Sequence, residues 1–225
     1  WLTWACGELG LFAEGIGFGD RAQKIAESFP SDQYLFFKSL GGLSYINFSK
    51  GDTKRVFEGA KLLLDYGERT SNSRSKVFGH LANGWAYSLS GDMNSYQKSC
   101  EKALEVALDP FYASFPKGSL SFALLFGGQF QEAEDVLQSL LDFGEKRTIG
   151  EVSEQAYIFL APTLIAKGQM KQGLRMLEEA QQTLIRNQRR TWYAQSEYIL
   201  GKVYSQIVAG PRPAFSIMAK NIGFL

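Results

Sequence analysis

Five Gly-Asp or Gly-Gln pairs, Gly19-Asp20, Gly51-Asp52, Gly91-Asp92, Gly128-Gln129 and Gly168-Gln169, recur along the chain at steps of 32, 40, 37 and 40 residues. Self-similarity at a nearly fixed step constrains architecture more than any local pattern, because each unit must bury its apolar face against the next. Two longer offsets coincide: Gly51 to Gly128 and Gly91 to Gly168 are both 77 residues. At that offset Leu63-Leu64-Asp65-Tyr66-Gly67-Glu68 falls in register with Leu140-Leu141-Asp142-Phe143-Gly144-Glu145. The units therefore come in similar alternate pairs.

Each pair separates two segments with apolar residues at helical spacing, which places it at the turn of a helix hairpin. Glycine takes the left-handed conformation that ends one helix, and Asp, more strongly than Gln, answers the free N–H groups that open the next. In the helix after the turn, Val56, Ala60, Leu63 and Leu64 form one stripe, and Ala133, Leu137, Leu140 and Leu141 repeat it. Their i, i+4, i+7, i+8 spacing is that of a buried face. In the helix before the turn, the residue six before each glycine is Ala13, Tyr45, Trp85, Phe122 or Pro162, and the residue three before is Ile16, Phe48, Ser88, Leu125 or Ile165. The pattern predicts helices over about 2–18, 20–29, 32–49, 52–68, 74–90, 93–108, 113–127, 130–145, 151–167, 170–186 and 191–208. A further helix is expected to open within Pro211–Leu225. The fold class is all-α: an α-α superhelix of five to six antiparallel hairpins, read as a single domain over 1–225.

The 24 Lys+Arg against 23 Asp+Glu leave a formal charge of +1, too little to gather nucleic acid or an anionic membrane. The longest apolar stretch, 156–166, contains Pro162 and falls short of the roughly 18 residues that span a bilayer. Two cysteines, Cys6 and Cys100, make neither a zinc site nor a disulfide framework, and the expected setting is cytoplasmic. A start at Trp1 and an end at Phe224-Leu225 suggest an excerpt of a longer chain.

The segment Gly84-Trp85-Ala86-Tyr87-Ser88-Leu89-Ser90-Gly91-Asp92, followed by Ala103-Leu104 and Asp109-Pro110, resembles a tetratricopeptide repeat. Phe130 and Ala133 match the opening of that family's second helix, and Leu200-Gly201 with Tyr204 the start of its first. The likeness covers roughly 12–209. The step exceeds the family's period of roughly 34, and Val56, Tyr96 and Gly173 stand where a small residue is usual. The long, degenerate form is similar to repeat regions that follow the ATPase module in bacterial signalling proteins, adenylate cyclases and transcription regulators among them. The resemblance implies a tetratricopeptide-like solenoid whose first helices line a concave groove, and a covalently attached upstream module.

Sites of chemistry are sparse. Gly15-Ile16-Gly17-Phe18-Gly19 lacks the spacing and the Lys-Ser/Thr pair of a phosphate loop, and reads as glycines thinning a helix end. His80 is the only histidine and stands at a rim position. Cys100 falls on a buried stripe. Glu132-Glu134-Asp135 and Glu178-Glu179 lie on solvated faces. Pro162 inside a predicted helix removes one hydrogen bond and favours a kink. Arg186, Arg189 and Arg190, with Trp192 and Tyr193, form the one basic-aromatic cluster, a secondary candidate for an anion or a partner. No catalytic set, metal site or cofactor is read from the chain.

The expected function is a non-catalytic interaction or regulatory scaffold in a signalling protein. A protein or peptide would lie in the groove, with self-association among the contacts such a surface allows, against Tyr45, Phe48, Trp85, Phe122 and Leu125. The rival reading for these aromatics is packing between hairpins. The rival function is a sensor that closes around a small metabolite.

Overall fold

The computed structural model describes residues 2–29 and 31–209. They form α1 (Leu2–Leu9), α2 (Phe12–Ser28), α3 (Gln33–Ser49), α4 (Thr53–Thr70), α5 (Ser73–Leu89), α6 (Met93–Glu105), α7 (Pro110–Phe126), α8 (Phe130–Arg147), α9 (Gly150–Ala166), α10 (Met170–Arg186) and α11 (Arg190–Ala209), with no strand among the described residues. The helix expected within 211–225 lies outside the described residues. Among those described, no helix is long and apolar enough to cross a membrane.

The turns inside the hairpins share one construction. Gly10, Gly51, Gly91, Gly128 and Gly168 all have positive φ, from 74° to 86°. The N–H of the following residue returns to a carbonyl five residues back: Leu11 to Cys6, Asp52 to Asn47, Asp92 to Tyr87, Gln129 to Leu124 and Gln169 to Leu164, all at 2.8–3.0 Å. This is the Schellman closure, which satisfies carbonyls that the helix end leaves open. Asp52 and Asp92 then cap the next helix by accepting from the N–H groups of Arg55 and Ser95, whereas the Gln129 and Gln169 side chains make no such bond.

One expected turn is not a turn. Gly19 lies inside α2, and the first hairpin turns at Gly10 instead. The glycines of this stretch serve packing. A methyl group at Gly19 would collide with Leu43, and one at Gly15 would stand 2.8 Å from Cys6 Cβ, so both let α2 approach its neighbours. With Gly10 in place the steps become 41, 40, 37 and 40 residues.

Between hairpins, tight turns place Ser71, Thr148 and Gln188 in the left-handed region at φ 54–57°. The same closure recurs there, Asn72 N–H to Gly67, Ile149 N–H to Gly144 and Arg189 N–H to Leu184, at 2.8–3.0 Å. Gly67 and Gly144, 77 residues apart, each admit the backbone of the next helix, and a methyl group on either would stand 3.0 Å from the nitrogen of Lys76 or Ser153. The third hairpin differs: α6 stops at Glu105, and Pro110 begins α7 at a position where its missing N–H costs nothing.

The chain divides into two compact units, residues 1–123 and 124–225. In the first, α2 packs on α1 and α3, α4 packs on α3 and α5, and α6 packs on α5, while first helices pack on first helices, α1 on α3 and α3 on α5. In the second unit α8 packs on α9, α9 on α10, and α11 on both α9 and α10.

The core stripes follow the spacing read from the chain. Val56, Ala60 and Leu63, then Ala133, Leu137 and Leu140, are fully buried, as are Cys100 and Ala103 in α6. Each buried Leu contributes about 2 kcal/mol. Leu64 is half-buried and packs where Gly79 has no side chain. Pro162 is accommodated, buried, within α9.

Candidate functional site

Relocating the first turn moves the register of its helix. The residue six before Gly10 is Trp4, so the series six before the turn is Trp4, Tyr45, Trp85 and Phe122 along the first helices of the first unit, one ring per hairpin. Helical spacing directs these side chains to the same face. The Trp4 ring stacks on Tyr45 with centroids 4.4 Å apart and planes within 8°, and Tyr45 meets Trp85 edge-on at 5.8 Å. Phe48 stacks on Trp85 at 5.3 Å, and the Trp85 indole N–H donates to Ser119 Oγ on α7 at 3.3 Å. Phe122 lies edge-on to Tyr96 at 6.1 Å.

Burial separates these residues. Tyr45 and Trp85 are 5% and 6% exposed, whereas Trp4, Phe48 and Phe122 are half-buried. Leu125, 7% exposed, belongs to the second unit. Tyr45, Phe48 and Trp85 form one cluster.

A second set of rings stands two turns earlier on the same helices. Phe78 and Phe115 are 5.4 Å apart, Tyr112 is edge-on to both Phe37 and Phe78 at 5.9–6.0 Å, and Trp4 reaches Phe78 at 5.8 Å and Phe115 at 6.0 Å. Where Phe78 and Phe115 stand, α3 carries Lys38. Its ammonium lies 5.2–6.0 Å from the ring centres of Tyr34, Phe37, Phe78 and Tyr112. The negative ring faces hold the cation there. Arg74 lies over Tyr112 at 4.9 Å and pairs with Asp109 at 3.5 Å.

One polar group completes the face. The buried Glu8 carboxylate of α1 accepts from the Tyr45 hydroxyl. His80 is half-buried, and burial followed by the Lys102 ammonium holds its imidazole below the ordinary 6.5, so it is neutral at pH 7. Burial pushes the Tyr96 hydroxyl and the Cys100 thiol well above their usual ranges, which makes Cys100 inert. Both cysteines are buried and free.

In the second unit the basic cluster is partly neutralised. Glu154 pairs with Arg189 at 3.5 Å and accepts from the Asn187 side chain at 2.6 Å. Arg186 donates to Thr183 at the end of α10, where its charge complements the helix dipole. Arg190 is exposed, and Trp192 meets Phe159 edge-on at 6.4 Å. Among the described residues no group of three or more His, Cys, Asp or Glu gathers in a way that could hold a metal ion.

No protein-family model matches the chain, and no curated protein matches it. Among solved structures it is similar to a crystal structure of the nearly identical TPR-like repeats of a Podosopora anserina putative kinesin light chain, with a TM-score of 0.51 and 18% identity over 87% of this chain and 93% of that one. A single-substitution form of the same repeats aligns with a TM-score of 0.52 and 18% identity over 84% of this chain and 93% of that one. The fold is that of tetratricopeptide-like repeats. At 18% identity the likeness speaks for the TPR-like fold alone.

Trp4, Glu8 and Lys38 are the residues of this face that sequence reasoning passed over. Counting back one period of about 40 from Gly51 reaches Gly10 and, six before it, Trp4. Nothing comparable marks Glu8 or Lys38, whose placement depends on rings contributed by other hairpins.

Proposed function

We propose that the chain is a non-catalytic interaction scaffold that takes up a protein or peptide segment on the first-helix face of its first unit. The observation that supports this is the aromatic ladder of Trp4, Tyr45, Trp85 and Phe122 at one register, flanked by Phe48. The half-buried Phe48 and Phe122 are the contact groups in this reading, with Trp85 stacked on Phe48 and Tyr96 edge-on to Phe122. Leu125 and the exposed Arg186 and Arg190 are secondary contacts on the second unit. Aromatic anchors set in packed surroundings dominate interface energies. By its resemblance to repeat regions of signalling ATPases, we place the scaffold in a cytoplasmic signalling protein behind such a module.

The test uses the full-length protein in its own cell, with a photoreactive phenylalanine analogue in place of Phe48 or of Phe122. Both positions are expected to give the same crosslinked adduct, and the exposed Leu62 on α4 is expected to give none. Adducts equally abundant from Leu62 would overturn the assignment to this face.

A further inference from the structure

The 77-residue supercycle makes one stretch of this chain a control for another. The helices α4, α5 and α6 open at Asp52, Asn72 and Asp92, and 77 residues after each of these α8, α9 and α10 open at Gln129, Ile149 and Gln169. In the first copy all three side chains cap their helix: Asp52 accepts from the Arg55 N–H at 3.2 Å, Asn72 from that of Ser75 at 3.0 Å and Asp92 from that of Ser95 at 3.0 Å. In the second copy none of the three does.

The neighbouring helices follow the same division. Asp32 accepts from the N–H groups of Tyr34 and Leu35 at the start of α3, and Asp109 from that of Phe111 at the start of α7. From α3 to α7 the run of capped helices is unbroken. It ends in the helix within which the two compact units divide. Ahead of the run, α2 opens on Leu11 without a side-chain cap.

Stripe and joints are matched between the copies. Val56, Ala60 and Leu63 coincide at this offset with Ala133, Leu137 and Leu140, and all six are fully buried. Each capped or uncapped turn follows the same positive-φ glycine, Gly51 and Gly91 in one copy and Gly128 and Gly168 in the other. Gly67 and Gly144 each admit the backbone of the next helix. On this common frame the copies differ in how the first N–H groups of each helix are satisfied. One capping side chain changes a helix's opening equilibrium about two- to fivefold, so three amount to about ten- to a hundredfold.

We propose that the second unit is a conformational device, in which α8, α9 and α10 open as one block while α3 to α6 stay folded. The helix α11 packs on α9 and α10 and opens with them. In repeat arrays stability is a sum over units and their nearest neighbours, so adjacent weak units open together. The aromatic face of the first unit is then a fixed surface, followed in sequence by a segment whose folded population a bound ligand can raise. This goes beyond the scaffold reading and does not depend on it.

Native-state hydrogen exchange of the full-length protein, read by mass spectrometry over urea concentrations below the unfolding transition, measures both copies in one sample. Peptides from α8, α9 and α10 are expected to share one opening constant, about ten- to a hundredfold larger than that of α4, α5 and α6. Gln129 and Gln169 are exposed, and the double variant Gln129→Asp, Gln169→Asp is expected to lower that constant about four- to 25-fold without changing α4 to α6. The converse double variant, Asp52→Gln with Asp92→Gln, is expected to raise the opening of α4 to α6 by a similar factor. Equal opening constants in the two copies, unrelated constants for α8, α9 and α10, or an opening of the second copy that the added caps do not slow would each overturn the proposal.

Discussion

Gly84 on α5 faces Tyr96 on α6, and a methyl group at Gly84 would stand 3.0 Å from Tyr96 Cδ2. These residues lie seven before and five after their hinge glycine. In the fifth hairpin the same two positions hold Ala161 and Gly173, and the bulk is reversed: a methyl group at Gly173 would stand 2.6 Å from the Ala161 carbonyl oxygen. Volume is traded across the hairpin. Tyr96→Ala is therefore expected to cost roughly 3–5 kcal/mol, because residue 84 offers no side chain to relax into the cavity. A Gly84→Leu change in that background is expected to recover part of the loss. Denaturant titration of the two single variants and the double variant measures the coupling, and strictly additive values would refute the trade.

Inside α2, one chemical change is expected to have opposite signs two residues apart. Gly17 is exposed and nothing lies within 4 Å of a methyl group there, so Gly17→Ala gains about 0.5–1 kcal/mol from helix propensity. Gly15 is buried against Cys6 and Ile46, so Gly15→Ala costs about 1–3 kcal/mol through overpacking. Thermal unfolding separates the two. A stabilised Gly15→Ala would contradict the close approach of α1 and α2.

The Asp92 cap carries a pH signature. Its bond to the Ser95 N–H, and then to the Ser95 side chain, holds the carboxyl below the ordinary 3.8. A depressed folded pKa contributes stability that is present above the unfolded value and lost as pH falls through the folded one. Asp92→Ala is expected to lower Tm at pH 7, with the gap to the parent protein closing below pH 3.8. A gap that stays constant down to acid pH would mean that the cap is not electrostatic. Gln129, which makes no cap bond, offers the converse: Gln129→Asp is expected to gain roughly 0.5–1 kcal/mol.

Trp85 and Phe48 are stacked on each other but are expected to fail differently. Trp85→Ala removes a buried ring, its stacking partner's support and the bond to Ser119, for a loss of about 3–5 kcal/mol in stability. Phe48→Ala, at a half-buried position, is expected to cost less in folding and more in partner binding. Isothermal titration of the folded variants with the crosslinked partner decides it. Unchanged affinity in Phe48→Ala would remove that residue from the contact surface.

Most of the helical organisation was legible in the sequence because it is written in local chemistry. Nine of the eleven helices, α3 to α11, match the expected spans to within three residues at each end, because turn chemistry and apolar spacing act within a few residues, and the stripe of Val56, Ala60 and Leu63 needs only its own spacing. The first turn was not legible because Gly19-Asp20 imitates the hinge pair, while the chemistry that makes Gly19 necessary, the Leu43 side chain, arrives from another helix. The aromatic face was half legible. Register placed Tyr45, Trp85 and Phe122 on one side of their helices, but burial depends on rings from neighbouring hairpins, so the sequence could not separate Trp85 from Phe48. Lys38 gave no sign at all, since the four rings around its ammonium are drawn from three helices.

The joints at Ser71 and Thr148 have the same left-handed conformation, the same backbone closure onto a glycine, and the same backbone approach behind that glycine, 77 residues apart. Cut ends that match in geometry are interchangeable. A break after Ser71 and another after Thr148 release a cassette of two hairpins whose removal or duplication leaves a familiar junction, with no new turn for the chain to invent. Recombination can therefore lengthen or shorten such a chain in two-hairpin steps without passing through a misjoined ancestor.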